Sequence, residues 1–172
     1  MAKTDDKLRE EALKKFKDAQ DAWQENQERY EEDVKFARGG IQWAEADVEK
    51  RSKEGRPALT YNRMPTFIRQ VVNDARQNKP SIKVHPIDNN SDVETAEVIN
   101  GLIRNIEQVS KADLAYDTAI DCAATGGVGF FRVDVDYADE DTFDMDIRIN
   151  RIVNPLTVYP DPTSTAADSS RS

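Results

Sequence analysis

The stretch GGVGFFRVDVDYADEDTFDMDIRIN, residues 126–150, decides the fold. In it Phe131, Val133 and Val135 alternate with Arg132, Asp134 and Asp136. After a polar turn, Phe143, Met145, Ile147 and Ile149 alternate with Asp144, Asp146 and Arg148. A period of two, with one apolar and one charged face, predicts a half-buried antiparallel hairpin. The glycines ahead of it, Gly126-Gly127-Val128-Gly129, follow a helical run and precede a strand. That order is the reverse of the strand, loop, helix arrangement that aims helix N-terminal amides at a phosphate, and no Gly-Lys-Ser or Gly-Lys-Thr follows. The glycines are therefore read as backbone devices that end the helix and let the strand start against a neighbour.

Upstream of the hairpin the period changes to that of a helix. Leu114, Ala115, Thr118, Ala119 and Cys122 form a small-residue face, with Ser110 as a candidate cap. Before it, Val98, Ile99, Leu102, Ile103, Ile106 and Val109 line one side of a helix beginning after Asp92, in which Gly101 is either a packing contact or a weak point. Phe67, Ile68, Val71, Val72 and Ala75 define another helix, with Pro65 in its first turn and Thr60 or Asn62 as its cap. Two further short strands are expected: an edge strand at Ile82 and Val84 and on to Ile87, and a third strand at Val158 and Tyr159 after Asn154-Pro155.

The N-terminal third is different in kind. Leu8, Ala12, Phe16, Ala19 and Trp23 recur at helical spacing in a field of lysine, arginine, aspartate and glutamate. The stripe resumes at Tyr30, Val34 and Ala37, is interrupted at Gly39-Gly40, and continues through Ile41, Ala44 and Val48. So narrow a stripe gains little from folding alone and calls for a partner surface, in the same chain or a neighbouring subunit; a solvated charged helix is the alternative. Gly55-Arg56-Pro57 ends this region. The expected fold class is α+β: a charged helical arm over 1–54, then helices packed on a small, mainly antiparallel sheet over 55–162, then a polar tail over 163–172.

Composition narrows the function. The chain has 172 residues, with Lys plus Arg 24 against Asp plus Glu 33 and a net charge of −9, so a free-standing binder of DNA or RNA is disfavoured. Hydrophobic residues at 38% still allow a core. A lone Cys122 and a single histidine, His85, offer neither an intrachain disulfide nor a Cys/His zinc framework. Apolar runs are too short to predict a membrane span or a signal peptide.

No residue set calls for catalysis or a cofactor. Asp134, Asp136, Asp144 and Asp146 are the candidates for a divalent cation, set against the reading that they form the solvated face of the hairpin; the calcium-loop pattern with its central glycine and terminal glutamate is missing. His85 has no serine, cysteine or second histidine at a recognisable spacing. Phe16, Trp23, Tyr30 and Trp43 are read as interface anchors rather than as platforms for stacked bases. Arg69 and Arg76, seven apart, share a helix face that suits an acidic neighbour or a phosphate.

The order of features resembles the portal, or head-to-tail connector, proteins of short-tailed double-stranded DNA bacteriophages. The resemblance is carried by Gly55-Arg56-Pro57-Ala58-Leu59-Thr60-Tyr61-Asn62, by Asn73-Asp74-Ala75-Arg76 leading into Pro80-Ser81-Ile82-Lys83-Val84, and by Ala115-Tyr116-Asp117. It continues with Gly126-Gly127-Val128-Gly129-Phe130-Phe131-Arg132-Val133, and with Asn154-Pro155 through Val158-Tyr159 to Asp161-Pro162. It implies a noncatalytic structural subunit of a dodecameric ring at one capsid vertex of the virion, with capsid, terminase and tail adaptor proteins as partners, no cofactor and no membrane. Double-stranded DNA would pass through the assembled channel without sequence-specific binding. Such proteins are several times longer, so the resemblance also implies that this is an N-terminal portion contributing to the outer wing. Another noncatalytic assembly, scaffolding or tail-connector protein is the alternative, and a small enzyme with a dispersed acidic site comes third. Limited proteolysis of the assembled protein is expected to spare residues 5 to 50; rapid cleavage throughout that arm would contradict its packing.

Overall fold

The computed structural model describes residues 2–79, 82–86, 93–139 and 141–164. The chain divides into two compact units, Met1–Asn62 with Leu156–Ser172, and Arg63–Pro155.

The second unit is built around a helix of small residues. It contains α3 (Met64–Gln77), α4 (Val93–Ser110), α5 (Ala112–Gly126), β1 (Phe131–Tyr137) and β2 (Met145–Arg151). The buried residues of α5 are Ala112, Ala115, Ala119, Cys122 and Thr125, a seam of short side chains that lets neighbours come close. α3 packs on it, burying Ile68 and Val72, and both strands and α4 pack on it from other sides. Ala112, Ala115 and Ile149 form the core, with Ile106 and Tyr116 against them.

The two strands pair antiparallel as the alternation requires, Val133 opposite Ile149 and Val135 opposite Ile147. Gly127 ends α5 in the left-handed conformation, φ 88°, and its N–H bonds the Ala123 carbonyl at 2.8 Å. Gly129 is needed for a different reason: a Cβ there would lie 1.8 Å from the backbone oxygen of Ala119. The glycine run is therefore a helix stop followed by a close crossing of backbone over helix, as the sequence indicates.

Several local readings are corrected. No strand forms at Ile82 to Val84. The N–H of Val84 instead donates to Asn100 Oδ1 at 2.8 Å, and the Asn100 amide donates back to the Val84 carbonyl at 3.0 Å, so a side chain supplies what a neighbouring strand would have supplied. Ile87 and Asp92 lie outside the described residues. No third strand forms at Val158 and Tyr159, where a 3-10 turn over Pro155–Thr157 is followed by irregular chain. Ser110 does not cap α5; as the last residue of α4 it accepts the N–H of Ile149 on β2 at 3.0 Å. The N-cap of α5 is Lys111, held at φ 51° in a one-residue joint between the two helices. Neither Thr60 nor Asn62 caps α3, whose N-cap is Arg63 and which has a proline in its first turn.

The first unit holds α1 (Ala2–Ala37) and α2 (Glu45–Lys53), separated at the Gly39-Gly40 interruption. A Cβ on Gly39 would approach the Lys35 carbonyl oxygen to 2.8 Å, and Gly40 has φ +68°, so both positions depend on glycine to turn the chain out of the helix. Asn62 closes that end of α1 by donating to the Ala37 carbonyl at 2.8 Å. Along α1, Ala19, Tyr30 and Ala37 are buried whereas Leu8, Leu13 and Phe36 remain exposed. The arm thus finds part of its partner surface in its own chain: Gln27 donates to the Leu156 carbonyl at 3.0 Å, and Phe16 meets Tyr159 edge to face at 5.1 Å.

Two glycine substitutions separate these roles. Gly129→Ala is expected to cost at least about 2 kcal/mol, because the obstructing atom is backbone. Gly101→Ala, whose Cβ would meet nothing within 4 Å, is expected to stabilise by about 0.5–1 kcal/mol. Thermal melts of the two variants check both; shifts of the same sign would contradict the account.

Candidate functional site

The polar face of the hairpin carries the acidic run. On β1 and β2 it consists of Arg132, Asp134 and Asp136 opposite Asn150, Arg148 and Asp146. The arginines divide the carboxylates: Arg132 pairs with Asp134, and Arg148 reaches Asp146 at 3.4 Å while donating to the Ala138 carbonyl at 3.0 Å. Asp144 sits in the turn, its N–H bonded to Thr142 Oγ1 at 2.7 Å. Among the described residues no three His, Cys, Asp or Glu side chains gather in a way that could hold a metal ion. Arg132 and Arg148 flank the acidic run in sequence, and strand pairing folds them into it.

His85 is exposed on irregular chain. Cys122 is buried in the seam of α5, its Sγ 4.0 Å from the Val153 carbonyl oxygen. Partial burial first, then the charge and hydrogen bond of Glu107 and the charge of Asp113, raise the pKa of Tyr116 above the ordinary phenol value.

The predicted arginine face finds its acid inside the chain. Arg76 Nε donates to Asp117 Oδ2 at 2.9 Å, and Lys79 meets Asp113 at 2.6 Å, so two basic groups of α3 and its end meet two acids one turn apart on α5. Arg69 lies by the same groove, with Leu114, Thr118 and Asp121. No sequence signal names this partner beyond the matching spacings, three on one side and four on the other.

The aromatic candidates divide in the same way. Tyr30 is buried within its own unit, and Phe16 is half exposed beside Tyr159. Trp23 is half-buried, with an indole N–H that is shielded and makes no hydrogen bond. Trp43 is a clamp: its Nε1 donates to the Leu59 carbonyl at 3.3 Å, and the Arg51 guanidinium lies 4.4 Å from the ring centroid while also donating to the Pro57 carbonyl.

What the second unit leaves over is apolar surface. Of the apolar hairpin face only Ile149, at 9% exposure, is buried; Val133, Val135, Tyr137, Met145 and Ile147 stay open. Val98 and Leu102 on α4 and Phe67 and Val71 on α3 do the same. Scattered apolar residues are normal on a soluble surface, but successive residues on one strand face and on two helix faces mark surfaces made to be covered.

Residues 13–170 match the family described as phage P22-like portal protein. The chain belongs to that family. Among curated proteins, the portal protein of Acyrthosiphon pisum secondary endosymbiont phage 1 is 30% identical over 139 residues, covering 77% of this chain and 19% of the relative. The chain thus spans about one fifth of the length of the curated relative it matches. No solved structure gives a significant match. Among the described residues no helix is long and apolar enough to cross a membrane. Within this portal-family fold the exposed ion pairs are expected to contribute little. A double-mutant cycle on Arg76 and Asp117 should yield a coupling of about 1 kcal/mol or less that shrinks with added salt, and a large salt-independent coupling would contradict that assignment.

Proposed function

We propose that this chain is the N-terminal, wing-forming portion of a structural subunit of a phage portal ring, placed at one vertex of the capsid in the virion. In this reading the assembled ring is dodecameric. It is the conduit through which double-stranded DNA is packaged and ejected, and the platform on which terminase and tail adaptor proteins dock. The subunit performs no catalysis and needs no cofactor.

Family membership supports the reading, and one structural observation carries it: the apolar faces of the hairpin, α3 and α4 that the fold leaves open. In a ring subunit, lateral neighbours and the remainder of a longer chain both supply surface that removes such faces from water, at roughly 25 cal/mol per Å² of apolar area covered. The acidic balance of −9 agrees with a component that DNA slides past or that faces away from it, since a surface that gripped phosphate would need the opposite sign.

Negative-stain electron microscopy of a full-length subunit containing this chain, classified for rotational symmetry, tests the proposal. Twelvefold rings with a central channel are the expected result. Uniform small particles from a verified full-length product would overturn it.

A further inference from the structure

The geometry points to a specific contact between copies, resting on the ring reading above: the hairpin tip of one subunit, led by Phe143, seats in the cavity beside α3 and α5 of the next. The two halves of this contact are both present in the second unit: an acidic tip with an aromatic point, and an apolar cavity with a small excess of basic groups.

The tip is the turn between β1 and β2. Phe143 is 94% exposed, the most exposed large apolar residue among the described residues, and a lone aromatic ring held in water is poorly placed unless something receives it. It is presented on a turn with its own internal bonding, since Ala138 donates to the Asp144 carbonyl at 2.8 Å and Asp144 to Thr142 Oγ1 at 2.7 Å. The exposed acidic residues Asp139, Asp141 and Asp144 lie close to it along the chain.

The receptor is a cavity of about 570 Å³ with an apolar floor that includes Ile82, Ile120 and Phe131. That volume accommodates an aromatic side chain with its neighbours. Two of the basic groups at this cavity, Arg76 and Lys79, are neutralised by Asp117 and Asp113. Lys83 and Arg104 also line it, are exposed, and make no ion pair among the described residues; Glu107 lines it too and accepts from the Tyr116 hydroxyl at 3.4 Å. With Asp113 and Asp117 taken up by Lys79 and Arg76, the cavity keeps a modest excess of positive charge, and an acidic tip with an aromatic point meets an apolar hole of the opposite sign.

The contact cannot be made within one subunit. Phe131, at the first residue of β1, belongs to the cavity, whereas the tip lies beyond Tyr137 at the other end of the strand. Six strand steps of about 3.3 Å place them roughly 20 Å apart. A surface that fits a different surface on an identical molecule makes a head-to-tail contact, and repetition of such a contact gives a closed ring when its rotation closes. The hairpin would thus be a strut that transmits register from each subunit to the next.

The test uses a full-length subunit carrying Phe143→Cys together with Ile82→Cys, assembled and treated with a short bismaleimide. Cys122, the only cysteine native to this chain, is buried in α5. A ladder of covalent multimers that neither single variant gives is expected. Phe143→Asp, at a position that contributes nothing to the core, is expected to lower the yield of rings at least about tenfold with the circular dichroism spectrum unchanged. Arg104→Glu is expected to weaken assembly and Asp141→Lys to restore it in part. Rings that form normally but show no ladder and tolerate Phe143→Asp would overturn this contact while leaving the portal reading intact. Protection of Ile82→Cys in such rings without any link to position 143 would assign the cavity to another segment of the longer protein, and would likewise overturn it. Monomers without a ladder, from wild type and variants alike, would overturn both.

Discussion

The crossing of Gly129 over the backbone of Ala119 is the constraint on which the second unit depends. Backbone meets backbone there, with no room for a side chain on the strand side and only a methyl group on the helix side. Because that approach is so close, β1 leaves α5 already seated against it, and β2 is carried by pairing to the place where Ile149 closes over Ala112 and Ala115. On that strand the N–H of Ile149 is satisfied by the end of α4, donating to Ser110 Oγ. A helix rich in alanine is weak in hydrophobic yield per residue but strong in proximity, and this unit is organised by proximity.

That choice has a cost in covered surface. Small residues in the seam leave the larger ones, on α3, α4 and the strands, facing outward, and the ion pairs between α3 and α5 steady the arrangement without closing it. The resulting unit presents apolar strand and helix faces together with a rigid polar hairpin face. Apolar faces of this kind are surface that association covers, in keeping with membership of a portal-protein family. The first unit shows the same economy: a charged helix with a thin stripe is tied down at Ala37, Gln27 and Phe16 and buries Ala19 and Tyr30, while Leu8, Leu13 and Phe36 stay exposed.

The parts of this fold that were legible are those written in a short window of chain. Hairpin alternation from Phe131 to Ile149, the apolar faces of α3 to α5, the break at Gly39-Gly40 and the backbone role of Gly126 to Gly129 each depend on residues within a few positions of one another. The parts that were not legible depend on partners far along the chain. Ile82 and Val84 alternate as a strand does, yet Asn100 satisfies Val84 and no strand forms. Ser110 has the chemistry of a helix cap but spends it on Ile149, and Asn62 spends its own on Ala37. Arg76 announces a charged face, but its acid is Asp117, 41 residues away.

The sequence by itself therefore determined the class of the fold, the positions of its helices and hairpin, the glycine stops that end its helices, and its net acidic character. Periodicity, chirality and charge are properties of the local chain and survive without tertiary context. Only the tertiary structure decided which polar groups satisfy each other, which aromatic residues are spent inside, and which apolar faces remain for a partner. Those outcomes turn on separations of a few ångströms between segments distant in sequence, and hydrogen bonds and van der Waals contacts vanish over just such distances.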